Sequence, residues 1–280
     1  MKKHNYHTHC ELDDGKGPIK EYVKEAIKRN FASLGFSCHT PMPTDDNWHI
    51  KKEDYPAYIE QIETLKEEYK ESIALYKGLE LDYLEKEKTL EGSSYKEQLD
   101  FTIGAVHLIF HNPSDSYLAV DGPIDEFTTL LNDTFNKDIK AFAKHYFNLQ
   151  MQMIENFSFD FLAHCTLMEK HNQNSQFFNQ EDKWYQFLAT EMLEFAKEKE
   201  IRIELNTGAI ARGRTKEPYP SLALLKTCYN LKLPIVINSD AHHCFNLDFY
   251  FDEAKSLLEE IGYKEIDILE NGKWRQIPIV

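Results

Sequence analysis

The sequence predicts a closed parallel (β/α) barrel of about seven strands, and three observations lead there. Short β-rich runs recur along the whole chain, amphipathic helical patterns lie between them, and run after run ends on a histidine or a carboxylate. A chain of 280 residues is long enough for such an α/β unit and should bury roughly 75% of its unfolded surface.

The β-rich runs lie at about 5–9, 33–39, 73–84, 101–109, 159–167, 201–207 and 234–242. Two of them, Ile235-Val236-Ile237 and Phe159-Asp160-Phe161-Leu162-Ala163, are short and apolar. Such runs suit strands covered on both faces, as in a barrel or a doubly wound sheet. Apolar residues at three- and four-residue spacing predict the intervening helices: Ile19, Tyr22, Val23, Ala26 and Ile27, then Tyr58, Ile62, Leu65 and Tyr69. The same spacing returns in Ile139, Phe142, Tyr146, Leu149 and Met153, in Trp184, Leu188, Met192 and Phe195, and in Ala254, Leu257, Leu258 and Ile261.

No repeat, low-complexity stretch or Gly/Ser linker marks a boundary, so residues 1–280 read as one domain. Two irregular stretches, 40–54 and 111–126, hold Pro, Asn, Asp and Ser just after predicted strands, where barrel enzymes place substrate-binding loops.

Composition narrows the partners. With 32 Lys+Arg against 47 Asp+Glu the formal charge is -15, which repels a phosphodiester backbone and disfavours nucleic acid. No window reaches the ~20 apolar residues of a membrane helix, and the lysines at the start are not followed by an apolar stretch. Five cysteines (Cys10, Cys38, Cys165, Cys228, Cys244) without C-x-x-C spacing suggest neither a disulfide framework nor a cysteine zinc site. A soluble, cytoplasmic protein in a reducing compartment is the expectation.

The histidines carry the chemistry. His7-Thr8-His9 places two imidazoles on one face of a strand, where they can chelate one ion. Later runs end on Cys38-His39, Gly78-Leu79-Glu80, Val106-His107, Ala163-His164 and Asp240-Ala241-His242. In a parallel barrel the carboxyl ends of all strands meet on one face, so these side chains converge although they span the chain. Imidazole with carboxylate and without thiolate suits Zn, Mn or Fe. The donors exceed what one ion uses, so two or three divalent ions are implied. Cys10, Cys38, Cys165 and Cys244 each adjoin a histidine and, on a strand, face away from the donors as core-packing thiols. His49, His111 and His243 flank the predicted site, whereas His4, His145 and His171 are expected on the surface or on helices.

With those motifs in place, the chain resembles the polymerase and histidinol phosphatase superfamily, and within it the histidinol-phosphate phosphatase group. The opening His-x-His with its acidic follower is matched by His7, His9 and Asp14, with Asp13 and Glu11 as alternatives to Asp14. His39, Glu80, His107, His164, Asp240 and His242 fill the remaining positions. The subgroup is suggested by 204–208 with Arg212, Arg214 and 217–220, and by 104–107 with 117–122.

The resemblance implies a distorted TIM-like (β/α)7 barrel with three ions. His7, His9, Glu80 and Asp240 would hold the first, Glu80, His107 and His164 the second, and Asp14, His39 and His242 the third. It also implies a phosphate monoester of a small molecule, L-histidinol phosphate, as substrate. Water shared by two such ions, its pKa lowered toward about 7, would attack phosphorus. Arg212 and Arg214 are suited to phosphate oxygens, and His242 or Asp240 to protonating the leaving alkoxide. The alternative within the superfamily is a phosphodiesterase, an exonuclease or a nucleoside phosphate phosphatase. The acidic balance argues against a long nucleic-acid substrate.

Overall fold

The computed structural model describes residues 2–43 and 47–279; three residues of the predicted 40–54 loop lie outside the described set. Seven strands, β1 (Lys3–Asn5), β2 (Phe31–Phe36), β3 (Ala74–Leu84), β4 (Phe101–Ala105), β5 (Phe161–Leu162), β6 (Arg202–Asn206) and β7 (Ile235–Asn238), pair in chain order. Every pairing in the series is parallel. The barrel nearly closes where the chain's two ends meet. His9 N donates to the Ala241 carbonyl (3.0 Å), and Ala241 N donates to the His7 carbonyl (3.1 Å). Lower down, Tyr6 N donates to the Asn238 side-chain oxygen (2.8 Å) instead of a backbone partner. The seam is thus a short bridge rather than a full ladder, which is the distortion.

Every strand is shorter than its predicted run, the fifth most of all at Phe161–Leu162. The first ends at Asn5, and residues 6–9 run on as the extended edge that makes the seam. The fourth breaks at Val106-His107, and Leu108–His111 turns away to form an antiparallel hairpin with Ser116–Ala119. That hairpin and the short helix Ile124–Thr129 occupy much of the stretch expected to be irregular.

The outer helices are α1 (Ile19–Lys28), α2 (Tyr55–Glu68), α3 (Ile139–Asn156), α4 (Lys183–Glu198), α5 (Leu222–Leu231) and α6 (Phe251–Ile261). α1 buries Ile19, Tyr22, Val23 and Ala26, and α2 buries Tyr58, Ile62 and Leu65, as their spacing requires. α3 is started by the Asp138 carboxylate, which accepts from Lys140 N and Ala141 N. α4 is rotated by about one residue from its predicted stripe and buries Tyr185, Ala189, Met192, Leu193 and Ala196. Trp184 stays at the edge because its indole N–H bonds Asp182 and Lys140 lies over its ring.

The barrel's amino end is filled by aromatic rings. Phe101 packs against Tyr6 and Phe161, and those two rings meet Trp274 of a carboxyl-terminal hairpin, Glu265–Glu270 with Lys273–Pro278. Trp274 donates to Asp160 (2.7 Å), Arg202 pairs with Asp267 (2.7 Å), and the Tyr6 hydroxyl donates to the Leu269 carbonyl (3.1 Å). Gly78 is required here, because a Cβ would lie 2.4 Å from the Phe101 ring. With one end sealed, chemistry is left to the carboxyl rim.

Candidate active site

The nine predicted donors, His7, His9, Asp14, His39, Glu80, His107, His164, Asp240 and His242, meet at the carboxyl rim. Glu80, fully buried within β3, lies at their centre. One of its oxygens is 3.1 Å from His7 Nε2 and 3.2 Å from His39 Nδ1. The other is 2.9 Å from His164 Nε2 and 3.4 Å from His107 Nε2. Asp240 stands 3.3 Å from His9 Nε2 and 3.8 Å from His7 Nε2. Asp14 stands 3.2 Å from His242 Nε2 and 4.0 Å from His39 Nε2. Ligand atoms of His7, His9 and Asp240, of His7, Glu80 and His164, and of His9, Asp14, His39 and His242 fall within 4.8 Å of one another in each group.

A second layer of carboxylates fixes these rings. Asp13 lies 2.7 Å from His9 Nδ1 and accepts from Cys10 N (2.9 Å) and His39 N (3.1 Å). Both of its oxygens are engaged, which distinguishes it from Asp14, the carboxylate that faces the imidazoles of His39 and His242. Glu11, the other alternative, is exposed as Asp14 is, but among the described residues it makes no ion pair with these imidazoles. Glu204 lies 2.7 Å from His7 Nδ1, accepts from His164 N (2.8 Å), and is held by Asn206 and Asn238 (both 2.9 Å). Asp82 lies 2.6 Å from His107 Nδ1 and 3.3 Å from His49 Nε2. Asp82 escaped the sequence reading, although Glu80-Leu81-Asp82 places two carboxylates on one face of a strand.

The electrostatics follow from this crowding. Burial disfavours the charged forms throughout, but the carboxylates prevail. Glu80 lifts His7, and Asp13 lifts His9, well above the ordinary imidazole range. His107 rises to about 10 as Asp82 and Glu80 overcome its burial. Against its own burial, Glu80 is held well below the carboxylate range by His7 and His107, and Asp240 by Arg212 and His7. His39 is the exception: burial pushes it down to about 4.

His9 Nε2 and His39 Nδ1 are buried without a hydrogen-bond partner among the described residues. Their carboxylate neighbours lie off the hydrogen-bonding direction. Buried imidazole nitrogens left without a hydrogen-bond partner and gathered among carboxylates make a donor set that fits divalent cations.

The rim opens into a cavity of about 770 Å³, lined in part by Asp14, His39, Glu80, His107, His164, Arg212, Asp240 and His242. Both predicted loop regions contribute to it, through Pro43 and Trp48 on one side and residues 115–126 on the other. Arg212 donates to the Asp240 carboxylate and carbonyl (both 3.0 Å), leaving about a third of its side chain accessible. Arg214 is exposed and, unlike Arg212, stands outside the cavity lining. Gly213 at φ +66 turns the chain between them. Lys170, missed in the sequence, lines the cavity instead and pairs with Asp121 (3.2 Å).

Of the flanking histidines, His49 reaches Asp82, His111 bonds Ser114 (2.6 Å), and His243 accepts from Phe245 N (3.2 Å). His4 is half-buried against Ser33 (2.8 Å) rather than on the surface, because β1 packs on β2 there. All five cysteines are free and buried.

A family model described as PHP domain matches residues 4–208. The chain is 24% identical over 267 residues to the histidinol-phosphatase of Bacillus subtilis, covering 90% of this chain and 98% of that one. The crystal structure of histidinol phosphate phosphatase from Lactococcus lactis, complexed with zinc, L-histidinol and phosphate, superposes with a TM-score of 0.75 at 20% identity. It covers 98% of this chain and 99% of that one, so the distorted barrel is shared over nearly the whole length. Among the described residues no helix is long and apolar enough to cross a membrane.

Proposed function

The chain belongs to the PHP domain family, and from that premise we propose that it hydrolyses L-histidinol phosphate to L-histidinol and phosphate, a step of histidine biosynthesis. The observation that carries this reading is the meeting of nine imidazole and carboxylate donors with Arg212 at the rim of one cavity. Near-full-length similarity to histidinol-phosphatases supports it.

In this reading His7, His9, Glu80 and Asp240 hold one divalent ion, Glu80, His107 and His164 a second, and Asp14, His39 and His242 a third. Zinc, manganese and iron all suit these donors. Bound there, such ions polarise phosphoryl oxygens and make water a competent nucleophile near neutral pH.

The chain's own residues do the rest. Arg212, steered by Asp240, presents its guanidinium to phosphate oxygens. Asp13, Asp82 and Glu204 fix the tautomers and orientations of His9, His107 and His7. Asp240 and His242, 3.3 Å apart at the mouth of the cavity, are the groups placed to pass a proton to the leaving alkoxide. The buried cysteines take no part.

Residues 1–280 act as one unit, since Asp240 and His242 lie beyond the family match yet complete the rim. The protein works in the cytoplasm.

The test is phosphate release from L-histidinol phosphate beside p-nitrophenyl phosphate, AMP and a dinucleotide, using Mn- or Zn-loaded protein and a chelated control. A preference for L-histidinol phosphate that disappears on chelation is expected. Preference for AMP or the dinucleotide refutes the substrate assignment, and undiminished turnover in chelator refutes the metal chemistry.

A further inference from the structure

Backbone ladders join each strand of the barrel to the next, but β1 and β7 share none across the seam. Much of the joint there is made by Asn5, the fully buried last residue of β1. Its amide nitrogen donates to the Ser239 hydroxyl (2.8 Å), the Thr8 hydroxyl (3.1 Å) and the Leu247 carbonyl (3.3 Å). Its oxygen accepts from His7 N and Ser239 N (both 3.2 Å). One side chain thus fastens both banks of the seam, with donor and acceptor both engaged.

Asp240 comes next after Ser239, and its backbone is left-handed, with φ +48. A residue other than glycine keeps such a conformation where its surroundings over-determine it. Here the peptide N–H groups on both sides are received from the opposite bank. Ser239 N donates to the Asn5 oxygen, and Ala241 N to the His7 carbonyl (3.1 Å). The side chains then meet across the same joint: Asp240 faces His9 Nε2 at 3.3 Å, and the His9 and His242 rings stack at 4.1 Å.

We infer that Asn5 is a positioning residue of the donor cluster, holding Asp240 in its left-handed conformation and setting the separation between His7 and His9 on one bank and Asp240 and His242 on the other. Two of the three proposed ions draw donors from both banks, whereas the ion of Glu80, His107 and His164 draws on neither. Holding an ion across a joint and closing that joint are reciprocal, so the seam ions must tighten the seam in return. The inference rests on the reading of the donors as a metal centre and is independent of which phosphate ester is the substrate.

The experiment measures zinc content per chain after equilibration of zinc-loaded protein with graded chelator, on the wild type, Asn5→Ala, Ser239→Ala and Leu193→Ala. Ser239→Ala removes one side-chain bond of the joint and carries the test if the Asn5 variant does not fold. Leu193→Ala weakens the core at α4 and leaves the seam bonds in place. Asn5→Ala is expected to hold the two seam ions about ten- to a hundredfold more weakly while keeping the remaining ion as the wild type does. Ser239→Ala should lose about fivefold on the same two ions, the worth of one hydrogen bond. Leu193→Ala should show no selective loss.

Hydrogen exchange on the wild type adds a readout that needs neither variant nor turnover. Zinc should slow exchange in residues 5–9 and 238–242 about tenfold relative to the β6–β7 ladder. Seam exchange that ignores zinc overturns the inference, as do seam variants that hold every ion like the wild type. Weakening spread evenly over all ions and matched by Leu193→Ala also overturns it, because Asn5 then acts on stability alone. A wild type that holds no zinc refutes the metal reading itself and this inference with it, an outcome told apart by the wild-type measurement before any variant is made.

Discussion

Replacing Glu169 with glutamine should change how stability depends on pH without touching the donor cluster. Glu169 follows β5 in the short 3-10 segment Leu167–His171, and its carboxyl is buried beneath α4, where it accepts from the Tyr185 hydroxyl (2.5 Å). Burial raises its pKa from 4.5 to about 7. Between those values the folded chain keeps a proton that the unfolded chain has lost. Stability from this group is therefore complete below pH 4.5, declines as pH rises, and is gone once pH has passed through about 7.

A shift of that size corresponds to about 3 kcal/mol at 1.36 kcal/mol per unit. Glutamine is close in shape to the protonated acid and does not titrate. Urea unfolding should therefore find Glu169→Gln close to the wild type at pH 5 and more stable by up to about 3 kcal/mol at pH 8. In a thermal scan the gap at pH 8 corresponds to roughly 5–10 °C. Metal binding also varies with pH, but it acts on both proteins alike and cancels in the difference. A wild-type-to-variant difference that stays constant from pH 5 to pH 8 would refute the claim that burial keeps this carboxyl protonated.

Four further outcomes are expected. Arg212→Met should lower kcat/KM for phosphate monoesters by about ten- to a hundredfold, while Arg214→Ala, lying outside the cavity lining, should change it less than about twofold in the same assay. Asp82→Asn leaves every donor in place but loosens His107, so chelator competition should show about ten- to a hundredfold weaker metal retention. His242→Asn takes one donor from the group formed with His9, Asp14 and His39, so chelator competition should show weaker metal retention; unchanged retention removes His242 from the donor set. Gly78→Ala forces a methyl group into the Phe101 ring, and denaturant titration should register a loss of about 1–3 kcal/mol.

Much of this site could be read from sequence because a parallel barrel does the assembling. Once β-rich runs alternate with helices, the last residue of each run is on one rim whatever its distance along the chain, so His7 and His242 could be placed together without any contact information. The helices on the outside were legible for a related reason: one face must be apolar and the other need not be. Where that simple division failed, as in α4, the cause was a tryptophan whose N–H and ring found polar and cationic partners at the edge.

Features that depend on local chain direction were not legible in the same way. Arg212 and Arg214 stand two apart, and on a strand that spacing would have aimed both at the cavity. They follow the short helix Gly208–Ala211, and the positive φ of Gly213 lies between them. Only Arg212 therefore meets Asp240, and the cation that lines the cavity in place of Arg214 is Lys170, forty-odd residues earlier. Its approach is set by a 3-10 turn and by Asp121, neither of which has a periodic signature. Arg212 and Lys170 consequently follow turns well past the strands, whereas all the candidate donors but Asp14 stand within a strand or no more than four residues past its end, and only the second set has a sequence pattern to reveal it.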